Sequence, residues 1–362
     1  WAAGVGACSG ALPASAPLAA AAGCPCPEVL GEADCDAVFI ATPYPLHAEQ
    51  SIQALSAGKH VLSEVVAATT LEECHALVEA VERSGLVYMM AENYCFTRPN
   101  MMVLNMVERG VFGTTVYAEG AYIHDCRALM FTPTGELTWR GRLKAGPNRN
   151  TYPTHSLGPV ALWLGVNRHD RLKTVSTFMT PPIAARRYAE RAFGPDHPVA
   201  ADPSLVAVGD SATTVIQTQS GAVIVLRVDW ASPRPHCMTH YVLQGSTAAY
   251  VSARTEGEDD LVWIEGRSPA NPDGTATRWD RLLDYADEFE HPDWRSLGAE
   301  ATRSGHGGGD FFVFKHFIDA IIEGTRPPVD VYDAATWSSI VPLSAESVRR
   351  GGEPVEVPDF KR

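Results

Sequence analysis

"DAVFIATPYPLH", residues 36 to 47, decides the fold. Val38, Phe39 and Ile40 form a short continuous apolar run, the signature of a strand buried on both faces in a parallel sheet. A helical segment from about Leu46 to Ala57 follows and stops at Gly58. "KHVLSE" (59–64) reads as the next strand. "TTLEECHALVEAVERSG" (69–85) reads as a helix with Thr70 and Glu73 as a capping box, and with Leu71, Cys74, Leu77, Val78 and Val81 on one face. Gly85 ends it, and "LVYMMAEN" (86–93) supplies a third strand. Strands and helices alternating at this rhythm predict a doubly wound α/β domain.

The pattern changes after about Gly113. "TTVYAEGAYIH", "RLKTVSTFM", "SATTVIQTQ", "AVIVLRVDW" and "MTHYVLQG" are long runs rich in β-branched and aromatic residues, with Ser220-Gly221 placed like a hairpin turn. They predict an α+β domain with a large, mostly antiparallel sheet over 114–362, after a dinucleotide-binding domain over 1–113. Helices are expected at Gly309–Glu323 and Asp333–Arg350, packing back toward the first domain. Surface loops are expected at Arg186–Pro203 and Glu265–Thr277. "NRNTYPTHSLGPVALWLG" (148–165) reads as a loop feeding a helix, capped by Thr154 or Ser156, with a buried stripe of Leu157, Val160, Ala161 and Leu164.

The 362 residues exceed one ordinary core, so two domains are the default. A net charge of -14 argues against nucleic acid or an anionic membrane as partner, because both are polyanions. Eight cysteines without paired C-x-x-C spacing suggest neither a disulfide scaffold nor a zinc site, and no metal is expected. The Ala-rich "ALPASAPLAAAAGC" lacks a positive n-region, the first Lys or Arg being Lys59, which speaks against an export signal. The expected location is the cytoplasm, or outside it after folded export if a signal precedes this chain. "GVGACSG" (4–10) has no strand before it and is expected to be a Gly-rich coincidence rather than a phosphate loop.

Ligands in doubly wound sheets bind beyond the carboxyl ends of the strands. Three successive ends carry polar groups there: Thr42, Tyr44 and His47; Glu64; and Glu92, Asn93 and Tyr94. This is a ligand-facing rim.

"AVFIATP…H", "AGKHVLSE" and "MMAENYCF" together resemble the Gfo/Idh/MocA dehydrogenase superfamily. "NTYPTHSLGPV", "SGHGGGDF", "VYDAATWSSIVPLS" and "PVEVPDF" are similar to glycoside hydrolase family 109, the NAD-dependent α-N-acetylgalactosaminidases, over about residues 30–362. The stretch ahead of "DAVFIATP" resembles the tail of a nucleotide-binding half whose first strands are missing, giving an incomplete Rossmann-like domain.

The resemblance implies NAD contacts at Thr42, Pro43, Tyr44, Leu46, His47, Glu64, Val65 and Asn93. It implies sugar contacts at Tyr122, Arg140, Tyr152, Pro153, Thr154 and His155, with His236 or Tyr241 at a further position. His155, Tyr152, Tyr94 and Glu64 are the implied catalytic residues, and His306 stands between a capping role and an active-site contact. The superfamily's usual Lys and Pro after this Glu are Val65 and Val66 here, which disfavours simple hydride exchange with a free alcohol. The implied chemistry is oxidation of sugar carbon 3, loss of the carbon 2 hydrogen and the carbon 1 substituent, addition of water, and return of the hydride. Two other readings stand beside it: an NAD(P)-dependent sugar oxidoreductase and an inactive sugar-binding relic. A homo-oligomer through the second-domain sheet is a further expectation.

Overall fold

A computed structural model describes residues 35–235 and 237–361. The described residues fold as two compact units, one running to residue 96 and taking up 299–339 and the residues from 358, the other made of 97–298 and 340–357.

In the first unit, β1 (Ala37–Ile40), β2 (His60–Ser63) and β3 (Tyr88–Met90) form a parallel sheet in that order. Every residue of β3 and all but the first of β2 are buried, the continuous burial that an apolar parallel strand requires. Helix α1 (His47–Ser56) joins β1 to β2, and α2 (Leu71–Ser84) joins β2 to β3. The capping box at the start of α2 is complete, with Glu73 N–H donating to Thr70 Oγ1 at 3.1 Å and Thr70 N–H to the Glu73 carboxylate at 3.2 Å. Such a cap contributes about 1 kcal/mol.

The second unit begins with α3 (Arg98–Glu108). The expected boundary at 113 therefore falls within it. The cause is packing: Trp163 Nε1 donates to the Asn100 carbonyl at 3.1 Å and ties α3 to α4 (Thr154–Trp163). The strands β4 (Thr115–Ile123), β5 (Leu172–Met179), β6 (Ser211–Thr218), β7 (Val223–Asp229), β8 (Cys237–Gly245), β9 (Ala248–Val251), β10 (Leu261–Ile264), β11 (Asp280–Arg281) and β12 (Val355–Glu356) make one sheet. Its order is β11-β10-β9-β8-β4-β7-β6-β5-β12, antiparallel throughout except β4 with β7.

Helix α4 lies on this sheet, and all ten of its residues are buried rather than a single stripe. Neither Thr154 nor Ser156 caps it; the N-cap is Pro153, and Ser156 Oγ donates to the Pro153 carbonyl at 2.8 Å. Gly120 of β4 makes the close approach possible, since a Cβ there would stand 1.8 Å from the Ser156 carbonyl oxygen.

Two other expectations are corrected. Much of Arg186–Pro203 is helical: α5 spans Ile183–Phe193, with Ala185 and Ala189 buried four residues apart. Its first free N–H groups, those of Ala184 and Ala185, are accepted by the Asp210 carboxylate at 2.6 and 3.1 Å, a cap supplied from outside the segment. The helix expected over 333–350 is two, α8 (Val331–Ser338) and α9 (Ile340–Arg349), because Pro342 has no N–H to give to Ser338. In chain order, α6 (Pro292–Ala301) and α7 (Gly309–Glu323) come before them. In the first unit α8 packs on α2 and β3, with Ala67 N–H donating to Ser338 Oγ at 3.0 Å.

Candidate active site

The three parallel strand ends deliver Thr42, Glu64 and Asn93 to one edge of the first unit's sheet, the edge where doubly wound domains bind ligands. Behind that edge His47 is 1% exposed. Its Nδ1 lies 2.9 Å from the Val66 carbonyl and its Nε2 2.8 Å from the Thr42 carbonyl. Burial lowers its pKa, against the pull of those two carbonyls. Sequence reasoning names His47 among the cofactor contacts, and its imidazole clamps the ends of β1 and β2. Tyr44 is likewise 1% exposed, and Thr42 Oγ1 donates to Gln50 at 2.6 Å. Glu64 is exposed, Val65 is buried, and the Val65–Val66 peptide bond is cis. Pro43 and Leu46 bound the single helical turn before α1.

Asn93 carries the most telling geometry. Its Nδ2 donates to Asp310 Oδ1 at 2.8 Å, while its Oδ1 is buried without a partner among the described residues. Asp310 in turn receives His306 Nδ1, at 2.9 Å to Oδ2 and 3.1 Å to Oδ1. The "SGHGGGDF" stretch folds so that His306, Gly307 and Gly308 have φ of 50°, 62° and 94°, and the two glycines make those successive left-handed turns accessible. Gly309 has its own reason, for a Cβ there would stand 2.3 Å from the Asn93 carbonyl oxygen.

The hydrogen bond to Asp310 raises the pKa of His306, with burial opposing and the charges of Asp310, Glu64 and Glu92 adding to the rise. Its side chain keeps 46% of its surface exposed. The Tyr94 ring stands edge-on to His306 at 6.1 Å between centroids. Burial, followed by the charges of Glu92 and Asp310, raises the Tyr94 pKa, so its phenol stays protonated and donates.

In the second unit the "YPTH" stretch opens α4. The rings of Tyr122 and His155 are 4.8 Å apart, those of Tyr152 and His155 5.0 Å, and those of Tyr122 and Tyr152 5.5 Å. Trp230 packs on Tyr152 at 5.1 Å. His155 is buried, and its backbone carbonyl accepts the Tyr241 hydroxyl at 2.6 Å. Tyr241 thus fixes the residue rather than presenting its own hydroxyl. Thr154 Oγ1 is buried and has no partner among the described residues, and Pro153 is buried beside it. Arg140 stacks on Trp139 at 4.2 Å, in a short helix apart from the ring cluster in sequence. His236 and the 4–10 stretch lie outside the described residues.

Sequence reasoning missed three partners. His124 Nδ1 meets the Tyr122 hydroxyl at 2.8 Å, Asp310 orients His306, and Trp230 backs Tyr152. The first two follow on motifs already singled out, but only folding pairs Asn93 with Asp310, 217 positions away.

Residues 4–92 match the family model described as an oxidoreductase family with an NAD-binding Rossmann fold. That match reaches further toward the start than the resemblance over 30–362 implied, and it includes "GVGACSG". A levoglucosan dehydrogenase solved with NADH and L-sorbose superposes with a TM-score of 0.70 at 24% identity, covering 92% of this chain and 83% of that one, which is a likeness of fold. The first unit is an NAD-binding Rossmann-type domain of the Gfo/Idh/MocA class, and NAD is the cofactor.

Residues 96–362 match the C-terminal domain model of glycosyl hydrolase 109. A glycosyl hydrolase family 109 protein of Stenotrophomonas maltophilia (strain K279a) is 34% identical over 351 residues, 92% of this chain and 74% of the relative. An alpha-N-acetylgalactosaminidase of Shewanella oneidensis is 35% identical over 343 residues, covering 92% and 71%. This chain belongs to glycosyl hydrolase family 109, whose members join an oxidoreductase-type nucleotide domain to a hydrolytic outcome. Among the described residues there is no metal-binding cluster of His, Cys, Asp or Glu, and no helix is long and apolar enough to cross a membrane.

Proposed function

We propose that this protein hydrolyses terminal α-N-acetylgalactosaminides, or glycosides of a closely related amino sugar. The carrying observation is the Asn93–Asp310–His306 chain at the nucleotide-binding edge. The residues fit a dinucleotide: Asn93 Oδ1 is a buried acceptor without a partner among the described residues, ready for a donor from the cofactor. Asn93, Thr42 and the backbone around Pro43 would hold it. Bound NAD+ supplies a reversible oxidation at sugar carbon 3, which acidifies the hydrogen on carbon 2.

The protein's own groups do the proton work. His155, among the phenols of Tyr122 and Tyr152, takes the proton from the carbon 3 hydroxyl and later returns it. Glu64, which is exposed, accepts the carbon 2 proton, exchanges it with solvent and protonates carbon 2 at the end. His306, whose protonated form is favoured by the hydrogen bond to Asp310, donates its proton to the departing oxygen on carbon 1 and recovers one from the incoming water. Tyr94, kept protonated, donates a hydrogen bond and takes no proton. Arg140 and Thr154 offer donors to the sugar's hydroxyl or acetamide groups. Each residue ends in the protonation state in which it began, so the cycle closes without consumption of cofactor.

A chromogenic α-N-acetylgalactosaminide, incubated with protein stripped of nucleotide and then with added NAD+, tests this. Release of the chromophore that depends on NAD+ without net NADH is the expected result. NADH accumulating in proportion to sugar consumed supports a sugar oxidoreductase instead. No turnover and no NAD retained through purification supports the sugar-binding relic.

A further inference from the structure

The second unit contains a small cavity, outside the ring cluster, lined in part by Lys144, Arg149, Thr151, Gly209, Asp210 and Trp230. Its donors are unusual. Trp230 is 5% exposed, and its indole N–H has no partner among the described residues. Arg149 Nε is buried and equally without one. Lys144 is 3% exposed and donates to the Gly209 carbonyl at 2.7 Å, which uses one of its three N–H groups. Burial lowers the Lys144 pKa to about 8, with Asp210 and Asp229 opposing, so it is cationic at neutral pH.

The nearby acceptors already serve donors of the fold. Gly209 O serves Lys144, and the two oxygens of Asp210 receive Ala184 and Ala185 N–H. Asp229, the other nearby carboxylate, receives Ala231 and Ser232 N–H, the Ser232 hydroxyl and Arg227. Of the charged groups lining the cavity, two cations stand against one carboxylate.

A buried donor left without an acceptor carries the full cost of losing its water, so something accepts here. The cavity has room for one water-sized occupant. A water would turn its two hydrogens toward a lining that carries two cations and two orphan donors against one carboxylate. An occupant that only accepts fits better.

We propose that this cavity binds a halide-sized anion, held by the Trp230 indole N–H, the Arg149 Nε–H and the Lys144 ammonium. The anion stands behind the Trp230–Tyr152 ring contact and beside Thr151, so it braces the segment that carries the sugar-facing rings. This binding does not depend on the glycosidase reading, and its test uses no substrate.

The full chain is titrated with sodium chloride replacing sodium gluconate at constant ionic strength, and the 35Cl linewidth and melting temperature are followed. The expected result is a saturable excess linewidth, displaced by bromide, with a melting temperature that rises in parallel. Arg149→Gln and Trp230→Phe should each reduce the excess linewidth at least about fivefold while far-ultraviolet dichroism shows the fold intact. Should Trp230→Phe fail to fold, Arg149→Gln, on a half-buried side chain, carries the comparison. No saturable excess in the parent protein overturns the proposal, as does an unchanged excess in the folded variants.

Discussion

His155 and His306 sit in regions built on opposite terms. Around His155 the surroundings are rings: Tyr122 and Tyr152 lie within 5.0 Å between centroids, and Tyr241 grips the residue through its backbone carbonyl. Around His306 they are charges and glycines, with Asp310 at 2.9 Å, Glu64 and Glu92 acting at longer range, and a loop of successive left-handed residues. In the proposed reaction the ring cluster would orient a sugar and let His155 take a proton from it, whereas the carboxylate-backed, half-exposed imidazole of His306 would give one. The difference teaches that a histidine's role follows from what surrounds its nitrogens.

The sharpest way to break this contrast is His306→Ala. Losing a general acid costs about 10²–10⁴ in rate, so kcat for a glycoside with a poor alkyl leaving group should fall by that much. A 4-nitrophenyl glycoside, whose leaving group needs no proton, should lose far less. Equal losses on both substrates would mean that His306 only shapes the loop.

His155→Ala should act on binding as well as on turnover. A rise in KM of about tenfold, equivalent to about 1.4 kcal/mol, is expected together with a fall in kcat. Full retention of glycosidase turnover would remove His155 from the scheme.

Asp310→Asn tests the origin of His306's charge. The hydrogen bond to Asp310 raises the His306 pKa, so the acidic form persists to higher pH in the parent protein. The variant should move the basic limb of the kcat profile downward and leave the acidic limb in place. The sign for stability is the same: the pair's contribution is complete below the ordinary imidazole value of 6.5 and fades as pH rises through the raised folded value. The pH slope of the melting temperature on that side should therefore flatten in Asp310→Asn.

Tyr241→Phe should have the smallest kinetic effect. It leaves the His155 carbonyl without its 2.6 Å donor and should cost about 1–3 kcal/mol of stability, read by denaturant unfolding. The aromatic packing on Trp163 would remain.

Local signals carried most of the first unit. The α2 cap, its Gly85 end and the apolar strands are short-range features, so they were legible, as were the polar strand ends and the sheet runs of the second unit. What failed was either masked by polarity or set by distance. Helix α5 looks like a charged loop because only Ala185 and Ala189 mark its buried face, and its cap comes from Asp210. The break between α8 and α9 follows from Pro342, a local signal inside an otherwise helical pattern. His47 looked like a ligand contact because its burial depends on two carbonyls brought together by β1 and β2. The site residues named from motifs include the ring cluster, but the partners that define each residue's chemistry, Asp310 for His306 and Tyr241 for His155, are tertiary facts.

The most direct measurement follows the hydrogen on sugar carbon 2 while the glycoside is turned over in deuterated water with NAD+ present. Deuterium at carbon 2 of the released sugar, with no lasting absorbance from NADH, is the predicted outcome. A released sugar that keeps its original hydrogen would show direct displacement at carbon 1, and the oxidation-assisted account would be wrong.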